Sequence, residues 1–365
     1  MRKLKYVIIG AGANVLNMHR SGLALEHVNV VGVQDNDATR GKLTAQDFNC
    51  QHYADYHTML ADCRPDVAVI LTPHPTHPHI TLDCLKAGCH VLLEKPMAVQ
   101  VADADAMIAL ATAQNRHLCV TFQRRYKSPI ETIKRLITEG ELGEIQYAAL
   151  SIVWTRPALY FTERTWRGTW AGEGGGIIIN QAAHQLDMLC YLLGLPERVY
   201  AWTQRQIHDI STEDTAQAMV AWENGATGFI HATTAQVGAP DRFEIRGTRG
   251  VVELVDDDLT FFQLETDLRE YAATSTDLYT PPTGEYRKVT LAPDLSTHTA
   301  IYRNLNAAIL DGEPLRYDGS SARLSLELAN AVLLSGHVRE EVSLPLNRER
   351  YRDFLNARIA EENQQ

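Results

Sequence analysis

The sequence predicts an α/β chain in two parts: a parallel sheet covered by helices, then an α+β region built on one large, mainly antiparallel open sheet. Three observations predict it. Over the first third, short β-branched runs alternate with helix-length segments, the spacing of βαβ units whose sheet is buried on both faces. A glycine turn, Gly10-Ala11-Gly12, follows the first of those runs directly. Beyond residue 122 the alternation stops and strand-like runs dominate. At 365 residues the chain is long enough for two cores, with expected ranges 1–122 and 123–365.

Residues 4–9, 28–34, 67–71, 90–93 and 118–122 are apolar, rich in β-branched residues and bounded by turn residues, which makes them strands of the first part. Residues 80–87 and 101–113, amphipathic or alanine-rich, are its helices. In the second part a helix over 129–139 stops at Gly140, a residue type suited to a left-handed exit. Strands are expected over 145–155, 199–206, 216–222, 227–234, 242–246, 251–254 and 287–291. They are interrupted by a helix over 180–193 that ends at Gly194 and Pro196. Helices over 297–310 and 321–335 follow.

Composition narrows the partners. Lys and Arg number 34 against 45 Asp and Glu, a net charge of −11, which disfavours nucleic acid and anionic membrane surfaces. The six cysteines include no Cys-x-x-Cys pair and lie in apolar stretches, as reduced core thiols of a cytoplasmic protein do. No segment is long and apolar enough to span a bilayer.

In Gly10-Ala11-Gly12-Ala13-Asn14 the first glycine permits a tight turn. The second lets backbone approach a pyrophosphate, whose charge the next helix N-terminus favours. Val15 stands where a third glycine is usual. Asp35, ending the second strand, can accept both ribose hydroxyls of a dinucleotide and repel a 2′-phosphate, so NAD is expected in preference to NADP, with Arg40 nearby. The alternative for Asp35 is a turn or helix cap. The order strand, turn, helix, strand, acid favours the nucleotide.

The loop Thr72-Pro73-His74-Pro75-Thr76-His77-Pro78-His79 invites a metal reading. Its proline spacing makes it stiff and extended, and no cysteine or carboxylate adjoins it, so no metal is expected. It reads instead as a ligand loop at the carboxyl end of a parallel strand. Glu94-Lys95-Pro96 ends the next strand at the same edge, where the Lys95 ammonium can stabilise a developing alkoxide. In the second part, Trp166-Arg167 and the glycine run Gly172 to Gly176 lead into Asn180 and His184. These two are four apart and expected on one helical face, with His184 a candidate general base. The glycine run is expected to bring backbone close to a ligand, and Asp187 either orients His184 or caps a neighbouring group. Arg124, Tyr126, Trp154, Arg156 and Tyr160 are polar or aromatic residues suited to a ligand cleft.

Taken in order, Gly10-Ala11-Gly12, Thr72-Pro73 with His77, Glu94-Lys95-Pro96, Trp166-Arg167, Gly174-Gly175-Gly176 and His184 with Asp187 resemble the glucose-fructose oxidoreductase, inositol dehydrogenase and MocA (Gfo/Idh/MocA) family. The likeness covers nearly the whole chain. It implies a Rossmann domain, then a substrate-binding α+β domain that forms oligomers, a dimer or tetramer. It implies an enzyme passing a hydride between NAD(P) and a secondary hydroxyl of a sugar, sugar derivative or cyclitol. Lys95 then takes the catalytic lysine role and His184 the acid/base role. The cofactor set is Gly10, Gly12, Ala13, Asn14, Asp35, Thr72, Pro73, His77, Glu94, Lys95, Trp166 and Arg167. The substrate set is Arg124, Tyr126, Trp154, Arg156, Tyr160, Asn180 and His184. One departure stands out: the family's acid four residues before the histidine is Asn180 here, which hydrogen-bonds in both directions but carries no charge. Three alternatives stay beside the dehydrogenase: cofactor-retaining, redox-assisted glycoside cleavage; a catalytically silent NAD-binding sensor, which the departure motivates; and a structural subunit whose broad sheet serves assembly.

Overall fold

The computed structural model describes residues 2–364; Met1 and Gln365, which the expected domain ranges include, lie outside the described residues. The chain divides into two compact units. Unit one is Met1–Gln123 with Ser296–Leu326, and unit two is Arg124–Leu295 with Glu327–Gln365.

Unit one opens β1 (Leu4–Ile9), α1 (Ala13–Leu23), β2 (Val28–Gln34), α2 (Ala38–Asp47), β3 (Gln51–Tyr53) and α3 (Tyr56–Cys63). It continues β4 (Val67–Ile70), α4 (His77–Lys86), β5 (His90–Leu93), α5 (Val101–Ala113) and β6 (Leu118–Val120). The sheet is six-stranded and wholly parallel, in the order β3-β2-β1-β4-β5-β6. Ile8, Val69 and Leu92 are fully buried in its centre, as strands covered on both faces require. The order reverses between β1 and β4. A crevice outside the carboxyl ends of such strands is where open α/β sheets take ligands. Gly10, Asp35, Thr72 and Lys95 all follow carboxyl ends of strands.

Unit two runs α6 (Ser128–Thr138), β7 (Ile145–Val153), α7 (Ala158–Thr162), α8 (Trp170–Glu173), α9 (Ala183–Leu193), β8 (Arg198–Gln204), β9 (Thr215–Ala221) and β10 (Thr227–Thr233). Then come β11 (Ala239–Gly247), β12 (Gly250–Val255), β13 (Asp258–Leu264), α10 (Leu268–Thr274) and β14 (Gly284–Tyr286). After α11 (His298–Asp311) the chain continues as α12 (Gly319–Val338), β15 (Val342–Ser343) and α13 (Arg348–Glu362). The sheet has nine strands, β14-β13-β12-β11-β7-β10-β9-β8-β15, antiparallel except for the pair β7 and β10. Alternation gives it two unlike faces. Ala148, Leu150 and Ile152 of β7 are buried, and α9 packs on β7, whereas Trp202 and Met219 are 47% and 48% exposed.

Four expectations are corrected. The helix expected over 180–193 begins at Ala183, because the preceding turn folds back so that the Ala182 N–H reaches the Ile177 carbonyl. The expected strand over 287–291 is absent; the short edge strand β14 precedes it, and residues there are exposed, so alternation had no core to face. No expectation covered strands β3, β13, β14 and β15 or helices α7, α8, α10 and α13. The second range, 123–365, also fails to separate out Ser296–Leu326, which belongs with unit one. There α11 packs on α1, the Tyr6 hydroxyl donates to Asn306 Oδ1 at 2.6 Å, and the Tyr6 and Tyr302 rings stack at 5.9 Å.

Candidate active site

In unit one, Gly10 adopts φ +86°, where a side chain would be strained, and a Cβ there would lie 2.9 Å from Thr72 Cγ2. Gly12 is the opposite case. A Cβ on it would meet nothing within 4 Å, so open space lies over the backbone at the start of α1. No side chain caps that helix, and its first residues, Ala13 and Asn14, are exposed. Bare N–H groups at a helix start beside open space fit a pyrophosphate.

Asp35 lies beside this turn and is 4% exposed. Its Oδ2 accepts the Ala11 N–H at 2.7 Å and Arg40 Nε at 2.9 Å. Its Oδ1 accepts the Asp37 N–H at 2.8 Å and Arg40 Nη2 at 2.6 Å. Burial opposes the charge, but Arg40 and the two backbone donors outweigh it and hold the carboxyl below its ordinary range. Helix capping falls to Asp37, whose side chain accepts from the Thr39 and Arg40 N–H groups.

Lys95 is half-buried at the end of β5, its N–H donating to Glu94 Oε2 at 3.1 Å and Thr121 Oγ1 at 3.2 Å. Glu94 is turned into unit one. Its Oε1 lies 2.8 Å from His19 Nε2 and 3.6 Å from His298 Nε2, and His19 Nδ1 lies 2.9 Å from the Tyr302 hydroxyl. Burial opposes ionisation of Glu94, yet the two imidazoles hold it well below the carboxylate range. His77 is wholly buried, its ring nitrogens 2.9 Å from the Pro96 carbonyl and 2.8 Å from the Thr72 carbonyl. It ties the Thr72-Pro73 loop to the Lys95-Pro96 turn, and burial holds its pKa below the usual imidazole value. Among the described residues, the one group of metal-ligand type is His19, Glu94 and His298. The His74 to His79 loop contributes no such group.

In unit two, the glycine run is buried and meets the chain itself. A Cβ on Gly176 would lie 1.9 Å from the Glu213 carbonyl oxygen, which is why only glycine fits there. The expected approach to a ligand is thus an approach to Glu213. The Glu213 carboxyl receives the Gly176 and Ile178 N–H groups, and burial pushes its pKa up to about 7. Asn180 precedes α9 and does not share a helical face with His184. Its amide nitrogen donates to the buried Glu173, whose other oxygen accepts the Gly168 N–H at 2.6 Å. The uncharged position 180 is therefore backed by a carboxylate.

His184 lies in the first turn of α9, half-buried. Asp187 forms a buried two-point ion pair with Arg125, at 2.9 and 2.6 Å. Arg167 lies over the Tyr160 ring at 4.1 Å and the Trp166 ring at 5.5 Å, and donates to the Tyr160 carbonyl at 2.9 Å. Gln181 donates to the Tyr160 hydroxyl at 3.1 Å. Arg124 and Arg156 both stack on Trp154, whose indole N–H donates to Asp241 at 2.7 Å. Tyr126 is buried in the core beside Tyr191. The sequence missed Glu213, Asp241, His19, His298 and Tyr302, since nothing local marks an acid, imidazole or phenol whose partners lie far along the chain, and it missed Glu173, whose partners Gly168 and Asn180 are near in sequence but meet it only through the fold of the loop.

Comparison with known proteins places these two halves in context. Residues 4–122 match the model described as the oxidoreductase family, NAD-binding Rossmann fold, and residues 130–253 match the GFO/IDH/MocA C-terminal domain. Trans-1,2-dihydrobenzene-1,2-diol dehydrogenase of Mus musculus is 27% identical, covering 69% of this chain and 74% of the relative. Myo-inositol 2-dehydrogenase of Thermotoga maritima is 24% identical, covering 80% and 84%. The structure of the WlbA dehydrogenase from Chromobacterium violaceum, in complex with NADH and UDP-GlcNAcA, superimposes with a TM-score of 0.83 at 28% identity, over 95% of this chain and 97% of that one.

Proposed function

The chain belongs to the GFO/IDH/MocA family of NAD-binding oxidoreductases, and from that premise we propose that it is an NAD-linked dehydrogenase of a secondary hydroxyl on a sugar, sugar derivative or cyclitol. The observation that carries the reading is the open space over Gly12 at the start of α1, with Asp35 beside it. NAD, when bound, supplies the hydride acceptor that turns the alcohol into a ketone. Gly10, Gly12, Ala13 and Asn14 hold its pyrophosphate, Asp35 its ribose, and Thr72 and Pro73 line the loop that His77 latches. The Asp35 carboxylate favours NAD over NADP.

His184 takes the proton of the substrate hydroxyl, and the Lys95 ammonium donates a hydrogen bond to the alkoxide as it forms. Asn180, its amide nitrogen bound to Glu173, offers a neutral amide in place of an acid beside the substrate. Trp166 and Arg167 with Tyr160, and Arg124, Trp154 and Arg156, supply aromatic faces and guanidinium groups for the rest of the ligand. The protein works in the cytoplasm as a homo-oligomer, dimer or tetramer, a reading supported by the outward sheet face bearing Trp202 and Met219. The experiment is NADH formation by the purified protein across free sugars, inositols, glycosides, sugar acids and nucleotide sugars, with light scattering for mass. Turnover on one class is the expected result. Nucleotide binding with silence across every class would overturn the dehydrogenase reading.

A further inference from the structure

Unit two contains an open cavity of about 690 Å³ lined by Arg124, Trp154, Arg156, Gly238, Pro240 and Asp256 among others. The Arg124 guanidinium lies 5.6 Å and that of Arg156 5.7 Å from the Trp154 ring, and Arg156 also lies 5.4 Å from Tyr160. Among the described residues neither guanidinium has a carboxylate within 4.0 Å. Arg125, one residue from Arg124, is by contrast fully matched by Asp187. The nearby acids are already engaged. Asp256 accepts the Asp241 N–H at 3.0 Å, and Asp241 is taken by Trp154 and Gln185. Stacking holds a guanidinium by its face and leaves its N–H edge to bond, and that edge matches a carboxylate or phosphate in two-point fashion. The volume is that of a ligand site.

We propose that Arg124 and Arg156, mounted on Trp154, form an oxyanion subsite, so that the substrate is an acidic one, carrying a carboxylate or a phosphate on its sugar or cyclitol. This rests on the dehydrogenase reading for the sugar part and on the cavity alone for the anion.

The test is calorimetric titration of the full chain saturated with NADH, using glucuronate, glucose 6-phosphate, UDP-glucose and neutral methyl glucoside as probes. At least one anionic probe binds more tightly than the neutral one, and its affinity falls with salt. Glucuronate alone gaining marks a carboxylate, and the two phosphate probes gaining mark a phosphate. Arg124→Gln and Arg156→Gln each weaken that probe about tenfold or more. Arg156→Lys, which keeps the charge but loses the fork, weakens it less, and it serves should a glutamine variant not fold. Equal affinity for neutral and anionic probes, or arginine variants that bind the anion like the parent chain, would overturn the subsite. Separate NADH titration and turnover distinguish the two ideas. Turnover on a neutral sugar without anion preference sinks the subsite alone, and anion binding without NADH binding sinks the dehydrogenase alone.

Discussion

Exchanging the two partners of the Asn180–Glu173 contact separates hydrogen bonding from charge. Glu173 is 1% exposed, with one oxygen taking the Gly168 N–H and the other the Asn180 amide, so water cannot replace either donor. A hydrogen bond to a charged group contributes about 1.5–3 kcal/mol, and Asn180→Ala should lose about that much. Asn180→Asp should lose at least as much, because two carboxylates in contact must share a proton. In Glu173→Gln/Asn180→Asp the amide and carboxylate trade places: the glutamine carbonyl still accepts from Gly168 and its amide donates to the new aspartate. Urea unfolding of the parent, both single variants and the double variant, followed by tryptophan fluorescence at fixed pH, closes the cycle. The double variant should regain much of what Asn180→Asp loses, with a coupling of about 1.5–3 kcal/mol. Effects that add to within about 0.5 kcal/mol would refute the reasoning, since independent residues add in this way.

Glu213 makes stability depend on pH. Its folded pKa, about 7, lies above the ordinary 4.5, so the folded state holds the proton more tightly and stability falls as pH rises from about 4.5 to about 7. The span amounts to on the order of 3 kcal/mol, and Glu213→Gln should flatten that part of a melting-temperature profile. His184→Ala should lower turnover roughly a hundred- to ten-thousand-fold while NADH titrates normally; near-parental turnover removes His184 as the base. Asp35→Ala should weaken NAD by roughly tenfold or more and leave Arg40 free to meet a 2′-phosphate, so the ratio of KM for NADP to KM for NAD should fall. An unchanged ratio would take Asp35 out of ribose recognition.

The nucleotide-binding half was the more legible. Runs such as Leu4–Ile9 and Val28–Gln34 are β-branched, short and closed by turn residues, and burial follows the pattern closely, with Lys5 and Asn29 exposed between buried neighbours. At Asn180 the reading failed because its conformation is set by Gly176 lying against Glu213, a residue far along the chain. Periodicity marks the apolar face of α11, carrying Ile301, Tyr302 and Leu305, but not which core receives it. Buried acids were the least legible: Glu173 and Glu213 look in sequence like surface carboxylates, and their burial is made tolerable by the Gly168 N–H and Asn180 amide for the first and by the distant Gly176 and Ile178 N–H groups for the second.

Unit one is built from two stretches with most of unit two encoded between them, which sets an order on biosynthesis. Tyr6 leaves the ribosome 300 residues ahead of the Asn306 that accepts its buried hydroxyl. At roughly 5–20 residues per second that interval lasts roughly 15–60 s. Through it the nascent sheet waits with the α1 surface bare of α11, a hydrophobic target for chaperones. A gene fragment ending at Gln123 would leave that surface open permanently and should yield aggregated product. The half that binds the nucleotide is thus completed only after most of the half that follows it has been made.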